Sequence, residues 1–216
     1  MNKAYRFRIY PNEVQKDLIE RTFGCTRFVY NYFLKQRIET YKTEGKSIGY
    51  TKKQNQLPKL KKELSWLKEV DSTSLQMTIR NLDRAFKNFF RDKTIGFPKF
   101  KNKKSKKKSY TVNYVNNNIQ IKKHKIKLPK LKWVSAKVHR FVEGRIINAT
   151  ITKTPTNKYF VSIITELEIE PMDKVDGNIG IDLGIKHFAI LSTGEKIKNP
   201  KLLKKSLKRL AKEQKN

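Results

Sequence analysis

From Ala4 to Tyr10 the residues Tyr5, Phe7 and Ile9 alternate with Arg6, Arg8 and Tyr10. This period of two predicts a half-buried strand, which Pro11 ends. The period then lengthens. Asn12 with Gln15 three residues on forms a capping-box start, and Val14, Leu18, Cys25, Phe28 and Tyr32 recur at helical spacing toward about Tyr41, with Gly24 as a point of bending. Thr51 and Gln54 predict a second start, with Leu57, Leu60 and Leu64 on one face and Pro58 interrupting or resetting the helix. Asp71 or Ser72 caps a third helix, whose stripe of Leu75, Ile79, Leu82, Phe86 and Phe89 ends near Asp92.

After Gly96 the pattern becomes short alternating segments: Tyr110–Tyr114, Ile119–Ile121, Ile126–Leu128, Val134–Val138, Ile147–Thr152 and Tyr159–Thr165. Thr154-Pro155-Thr156-Asn157 predicts a hairpin between the last two, and many short strands between turn signals favour a small barrel or sandwich over a parallel sheet. The first strand is expected to join it, so the helical block is an insertion into a β domain. Glu166 to Asp176, acidic and carrying Pro171, reads as a linker. Beyond it, Asn178 to Gly194 reads as a second hairpin and Leu202 to Gln214 as a lysine-rich helix.

Composition changes this picture most through charge. The 216 residues hold 50 Lys and Arg against 19 Asp and Glu, a net charge of +31, while 37% are apolar and 11% aromatic. The apolar share supports a folded core, and the charge excludes an ordinary acidic cytosolic enzyme, because such a field repels itself unless a polyanion covers it. No Asp or Glu occurs between Asp92 and Glu143, yet the interval holds Lys99, Lys101, Lys103, Lys104, Lys106, Lys107 and Lys108, and further lysines from Lys122 to Lys132. Phe97, Phe100, Tyr110, Tyr114 and Trp133 are interleaved with them, a combination suited to a phosphate backbone whose bases stack or are wedged. The alternative is a solvated lysine-rich face. A membrane surface fits less well, since the basic run has no amphipathic helix with a wide apolar face, and no stretch approaches a membrane span. The chain is expected to stay in the cytosol. A single cysteine, Cys25, excludes an internal disulfide and any Cys-rich zinc site from this chain alone.

Within the second hairpin, period two sets Ile179, Ile181 and Leu183 on one face and Asp182 with Gly180 and Gly184 on the other. The missing side chains leave room for a metal ion and a phosphate backbone beside the carboxylate, a nuclease-like arrangement. A turn-flanking Asp that aids solubility is the alternative, because one carboxylate specifies no chemistry. His187 reads more readily as a surface or cap residue than a ligand, and Cys25 as core.

The segment Gly180-Ile181-Asp182-Leu183-Gly184, followed by Phe188-Ala189-Ile190-Leu191-Ser192, resembles the first RuvC motif of the TnpB proteins, the OrfB products of IS200/IS605-type insertion sequences and relatives of Cas12. Tyr5 to Pro11, Arg27-Phe28-Val29-Tyr30-Asn31, Leu75-Gln76, Ala85 to Phe90, Gly96-Phe97-Pro98-Lys99-Phe100-Lys101 and Ile126 to Leu131 stand in that family's order, over nearly the whole chain. The resemblance implies an α+β fold: a helical recognition lobe (11–93) inserted into a small β-barrel wedge domain (1–10 and 94–172), then the first strands of an incomplete RuvC or RNase H-like domain (177–216). It implies RNA-guided DNA cleavage in a bacterial or archaeal cell, near the nucleoid. Guide RNA and target double-stranded DNA are the partners, and Mg²⁺ or Mn²⁺ is held by carboxylates of which Asp182 matches the first. Tyr50, Gln76 and Thr111 become candidates for reading the DNA beside the target, Gln for adenine and Thr for a thymine methyl.

The chain departs from the family where the later Glu, the Cys pairs of the zinc ribbon and the final Asp should follow; downstream of Asp182 the only acids are Glu195 and Glu213. The expectation is a truncated piece, unable to cleave alone, whose site a companion C-terminal polypeptide would have to complete. A nuclease-dead RNA or DNA binder, acting as a repressor, is the rival reading. Actin-like ATPases open on the same Gly-Ile-Asp-Leu-Gly, but near the N-terminus and with Thr-rich residues following, whereas Ile185-Lys186-His187 follow here.

Overall fold

The computed structural model describes residues 1–92, 94–105, 108–168 and 177–214. They fall into two compact units, Met1–Ile169 and Glu170–Asn216.

In the first unit, strand β1 (Asn2–Tyr10) lies inside an antiparallel seven-stranded sheet with β2 (Lys108–Asn113), β3 (Gln120–Lys122), β4 (Lys125–Leu128), β5 (Lys132–Lys137), β6 (Arg145–Lys153) and β7 (Tyr159–Glu166), in the order β2-β6-β7-β1-β5-β4-β3. Register places Phe7 opposite Val161 and Ile9 opposite Ala136, so the alternation foreseen in β1 turns Tyr5, Phe7 and Ile9 into the core. The 154–157 turn joins β6 to β7, with Asn157 at φ 56°.

The expected barrel does not close. Val112 of edge strand β2 and Ile126 of β4 share one core, so the sheet curls, but among the described residues no ladder joins β2 to β3. The chain between them spends its hydrogen bonds on a local turn: Asn116 and Asn117 have positive φ, and Asn118 donates to the Asn113 carbonyl (3.0 Å) while accepting from Val115 N–H (2.9 Å). At the other end of the sheet Gly144 (φ 83°) passes so close to Glu166 that a Cβ would sit 2.3 Å from its carbonyl oxygen, which only glycine permits.

Three helices, α1 (Glu13–Glu44), α2 (Tyr50–Glu63) and α3 (Ser72–Arg91), are inserted between β1 and β2. The Asn12–Gln15 capping box is present, and Gln15 also donates to the carbonyls of Leu131 and Trp133 (both 3.0 Å), fastening the start of α1 to the entry of β5. Helix α1 runs unbroken through Gly24, and the expected stripe is only part of its buried face: Cys25 is buried and Leu18 and Phe28 pack against the two cores, but Val14 and Tyr32 are exposed, while Ile19, Phe23, Val29, Phe33 and Leu34 are buried. Two cores share this helix. Ile19 and Phe23 belong to the sheet's core, whereas Cys25, Val29, Phe33 and Leu34 belong to a second core with α2 and α3, so a single stripe of fixed period cannot describe it. Pro58 sits inside α2 without ending it, and Gly49 rather than Thr51 precedes its first turn. The Leu57 and Leu60 contacts to the helical core outweigh the backbone bond that Pro58 cannot donate. Asp71 caps α3 through Ser74 N–H (3.1 Å), and the predicted stripe is buried at Leu75, Ile79, Leu82 and Phe86.

The second unit pairs β8 (Ile181–Leu183), β9 (His187–Leu191) and β10 (Lys196–Lys198) in the order β10-β9-β8, followed by helix α4 (Leu202–Glu213). Among its described residues only Ala189 is buried, and Leu202, Leu203, Leu207 and Leu210 of α4 are exposed. Most of the expected linker, including Pro171, lies outside the described residues; Glu166 itself closes β7 and pairs with Arg145 (2.6 Å). Among the described residues no helix is long and apolar enough to cross a membrane.

Candidate nucleic-acid interface

The segment after Phe97 is laid along α1 by one side chain. Asn31 donates to the Lys101 carbonyl (3.0 Å) and accepts from Lys101 N–H (2.8 Å), reading that backbone amide in both directions. Asn102 then forms a turn by accepting from Lys104 N–H (2.9 Å). The result is a cavity of about 410 Å³ whose wall includes Arg27, Phe100, Lys101, Lys103 and Lys108. Phe100 is 55% exposed there, leaving an open aromatic face among cations. The Lys101 ammonium lies 4.3 Å above the Tyr30 ring, and desolvation lowers its pKa.

Sequence and structure differ on how free these lysines are. Although no acid lies nearby along the chain, Glu20 of α1 reaches β2 and β6, bonding Lys108 (3.1 Å) and Lys153 (2.5 Å). Burial opposes ionisation of Glu20, but the hydrogen bonds from Lys153 and Lys108 outweigh it and hold the carboxyl below its usual value. Lys99, Lys103 and Lys104 are exposed, and Lys106 and Lys107 lie outside the described residues. Of the interleaved aromatics, Tyr110 is a core residue packed edge-on against Phe23 (5.5 Å), and Trp133 faces Lys122 (4.7 Å).

Tyr50, Gln76 and Thr111 are not gathered into one contact. Tyr50 opens α2 and packs against the helical core. Gln76 and Thr111 lie on adjoining elements: Asn113 N–H donates to Thr73 Oγ1 (3.1 Å), one turn before Gln76 on α3 and two residues past Thr111 on β2. Thr111 Oγ1 is already bonded across the ladder to Thr150 Oγ1 (2.8 Å).

In the second unit Asp182 is exposed on β8 opposite Ile190. The flanking glycines serve the hairpin itself. A Cβ on Gly184 would lie 3.3 Å from the His187 carbonyl, and one on Gly180 would touch Ser192, whose hydroxyl accepts from Gly180 N–H (3.0 Å). Among the described residues no three His, Cys, Asp or Glu side chains stand together to hold a metal ion, so the donor set present does not fit the paired-metal site of the family.

Sequence reasoning missed Arg27, Asn31 and Glu20. Arg27 and Asn31 lie in one of the segments that carry the resemblance and Lys101 in another, so the meeting of those two segments was the available signal; Glu20 gave none, because its partners lie 88 and 133 residues away.

Two family models match the chain: the OrfB/IS605 helix-turn-helix domain over residues 1–46 and the OrfB/IS605 probable transposase over residues 161–216. The chain belongs to the TnpB/OrfB family of IS200/IS605-type insertion sequences. Despite that description, residues 1–46 of this member hold one strand and one continuous helix rather than two helices and a turn. Similar proteins include one provisionally named RNA-guided DNA endonuclease from Streptomyces pristinaespiralis, 33% identical over all of this chain and 54% of its own length. A second, from Escherichia coli (strain K12), is provisionally named RNA-guided DNA endonuclease InsQ and is 32% identical over 97% of this chain and 52% of its own. Virulence protein VsdF of Salmonella dublin is 36% identical over 49% of this chain and 98% of its own. The chain spans about half the length of the first two. A Cas12f1–sgRNA–target DNA complex contains a chain 13% identical, with a TM-score of 0.43 over 99% of this chain and 61% of that one.

Proposed function

We propose that this chain is the nucleic-acid-holding portion of an RNA-guided DNA endonuclease, with a guide RNA and a target double-stranded DNA as its partners, acting at the nucleoid of the cell. The observation that carries this reading is the cavity lined by Arg27, Lys101 and Lys103 together with the exposed Phe100. Cations bind the phosphate backbone of any sequence, and an exposed ring accepts any base, so such a site retains a strand while pairing between guide and target supplies specificity. In this reading residues 1–10 and 94–172 form the wedge domain, 11–93 the recognition lobe and 177–216 the opening of a RuvC-like domain. Gln76 and Thr111, at the α3–β2 junction, read the DNA beside the target, with Tyr50 further along the helical lobe. Asp182 would supply one carboxylate toward Mg²⁺ or Mn²⁺ only where a companion C-terminal polypeptide supplied the others.

The test is binding of single-stranded RNA by the full chain over a range of salt. On single strands the log–log slope is roughly −0.7 per neutralised phosphate. Replacing Arg27, Lys103 and Lys104 by Ala is expected to flatten it by about two units. A slope that does not move assigns these residues to a solvated face and removes the site.

A further inference from the structure

The helical part of the first unit holds a cavity of about 420 Å³ that the sheet does not share, walled by Arg37, Tyr41 and Lys42 of α1, Phe86 and Phe90 of α3, and Phe97. Its volume falls within the roughly 300–1,000 Å³ typical of small-molecule sites. The rings brace one another: Phe97 meets Phe86 edge-on at 5.3 Å, and Phe86 and Phe90 are near-parallel at 6.4 Å. Even so, Phe90 is 70% exposed and Tyr41 63% exposed.

The polar contents narrow what can enter. The Arg37 guanidinium lies 3.7 Å from the Phe86 centroid, with Nε donating to Ser47 Oγ at 2.7 Å. Its Nη1 is buried and forms an ion pair with Asp83 at 3.8 Å. A second buried cation, Lys53, is 5.9 Å from the same ring. An aromatic box ordinarily attracts cations, but here Arg37 already covers one ring and Lys42 stands in the wall, so an incoming cation is repelled. A purely aliphatic side chain covers the rings yet leaves the Lys42 ammonium in the wall without an anion. A planar aromatic group with a negative charge on its tether satisfies the rings and Lys42 together.

We propose that this cavity takes one unstacked nucleobase of a single-stranded nucleic acid, its face against the phenylalanines and its phosphate at Lys42. The proposal rests on the nucleic-acid reading and adds a base-specific contact to it. The probes are an oligoadenylate and an abasic ribose-phosphate strand of equal length, each titrated against the full chain and against Phe90→Ala, an exposed position whose loss leaves the core intact. Loss of one stacked base weakens binding by at least about fivefold. Phe90→Ala is expected to weaken the oligoadenylate by that factor, with the abasic strand and the salt slope unchanged. Lys42→Gln is expected to lower the salt slope. Equal oligoadenylate affinity for both proteins, with salt-dependent binding intact, overturns the pocket and leaves the nucleic-acid reading standing; no binding of either strand overturns both. A dimer in sedimentation that Phe90→Ala dissolves, without a change in RNA affinity, makes the cavity a contact between copies and overturns the proposal.

Discussion

Lys53 carries an unfavourable charge placement. It is fully buried in α2, its Nζ has no hydrogen-bond partner among the described residues, and burial, reinforced by the Arg37 charge and only partly offset by Asp83, pushes its pKa down to about 8. A folded-state pKa below the unfolded value near 10.5 means the unfolded chain binds the proton more tightly. This group's contribution to stability is therefore complete above about pH 10.5 and is lost as pH falls through about 8. Cys25, Tyr30 and Tyr110, held above their usual values by burial, act in the opposite sense over the same range, so the lysine's part is read as a difference. Lys53→Met is expected to be more stable than the parent by roughly 1–3 kcal/mol at pH 7, and that gap in urea stability is expected to narrow toward pH 10.5. A Lys53→Met protein no more stable than the parent at pH 7 would show that the ammonium is better solvated than its burial indicates. Cys25 is the converse case, since burial first, then Glu69, raises its thiol to about 11. It is an inert core residue, as its place among apolar positions foretold.

At the scale of elements, α3 and β1 were legible because each faces one core: a 3.6 or 2.0 period sorts its residues into inside and outside. Helix α1 was legible as a helix but only in part in its facing, since Ile19 and Phe23 answer to one core and Val29 and Phe33 to another. Sheet order, and its failure to close, depend on pairings such as Arg8 with Lys137, which no local pattern encodes. The cationic site was half legible: the lysines stand in one run, but the pairing of Lys108 with Glu20 and the holding of the Lys101 backbone by Asn31 are tertiary. Gly24 yields a direct test. It lies mid-helix with nothing within 4 Å of a Cβ placed there, so Gly24→Ala is expected to stabilise the fold by about 0.5–1 kcal/mol. At the next helix, Asp71→Ala removes the cap that Ser74 N–H uses and is expected to cost about 1 kcal/mol. Denaturant midpoints check both.

For the whole molecule, charge and carboxylate count point in different directions. A net charge of +31 predicts avid binding of polyanions, whereas paired-metal hydrolysis needs several carboxylates around ions about 3.5–4 Å apart, and the described residues offer Asp182 without such company. The purified 216-residue chain, given RNA and Mg²⁺ or Mn²⁺, is therefore expected to bind nucleic acid without cutting DNA, and Asp182→Ala is expected to leave that binding unchanged. Metal-dependent cleavage by this chain, lost in Asp182→Ala, would require carboxylates from a second copy or from Glu170, Asp173 and Asp176, which lie outside the described residues. Helix α1 sets how the first unit comes apart. One rod of 32 residues, about 48 Å long at 1.5 Å per residue, is rooted in both cores, so melting either one removes a helix that packs in the other. Calorimetry should record a single cooperative transition for residues 1–168, and Gly24→Pro, which severs the rod between its two roots, should split that transition into two.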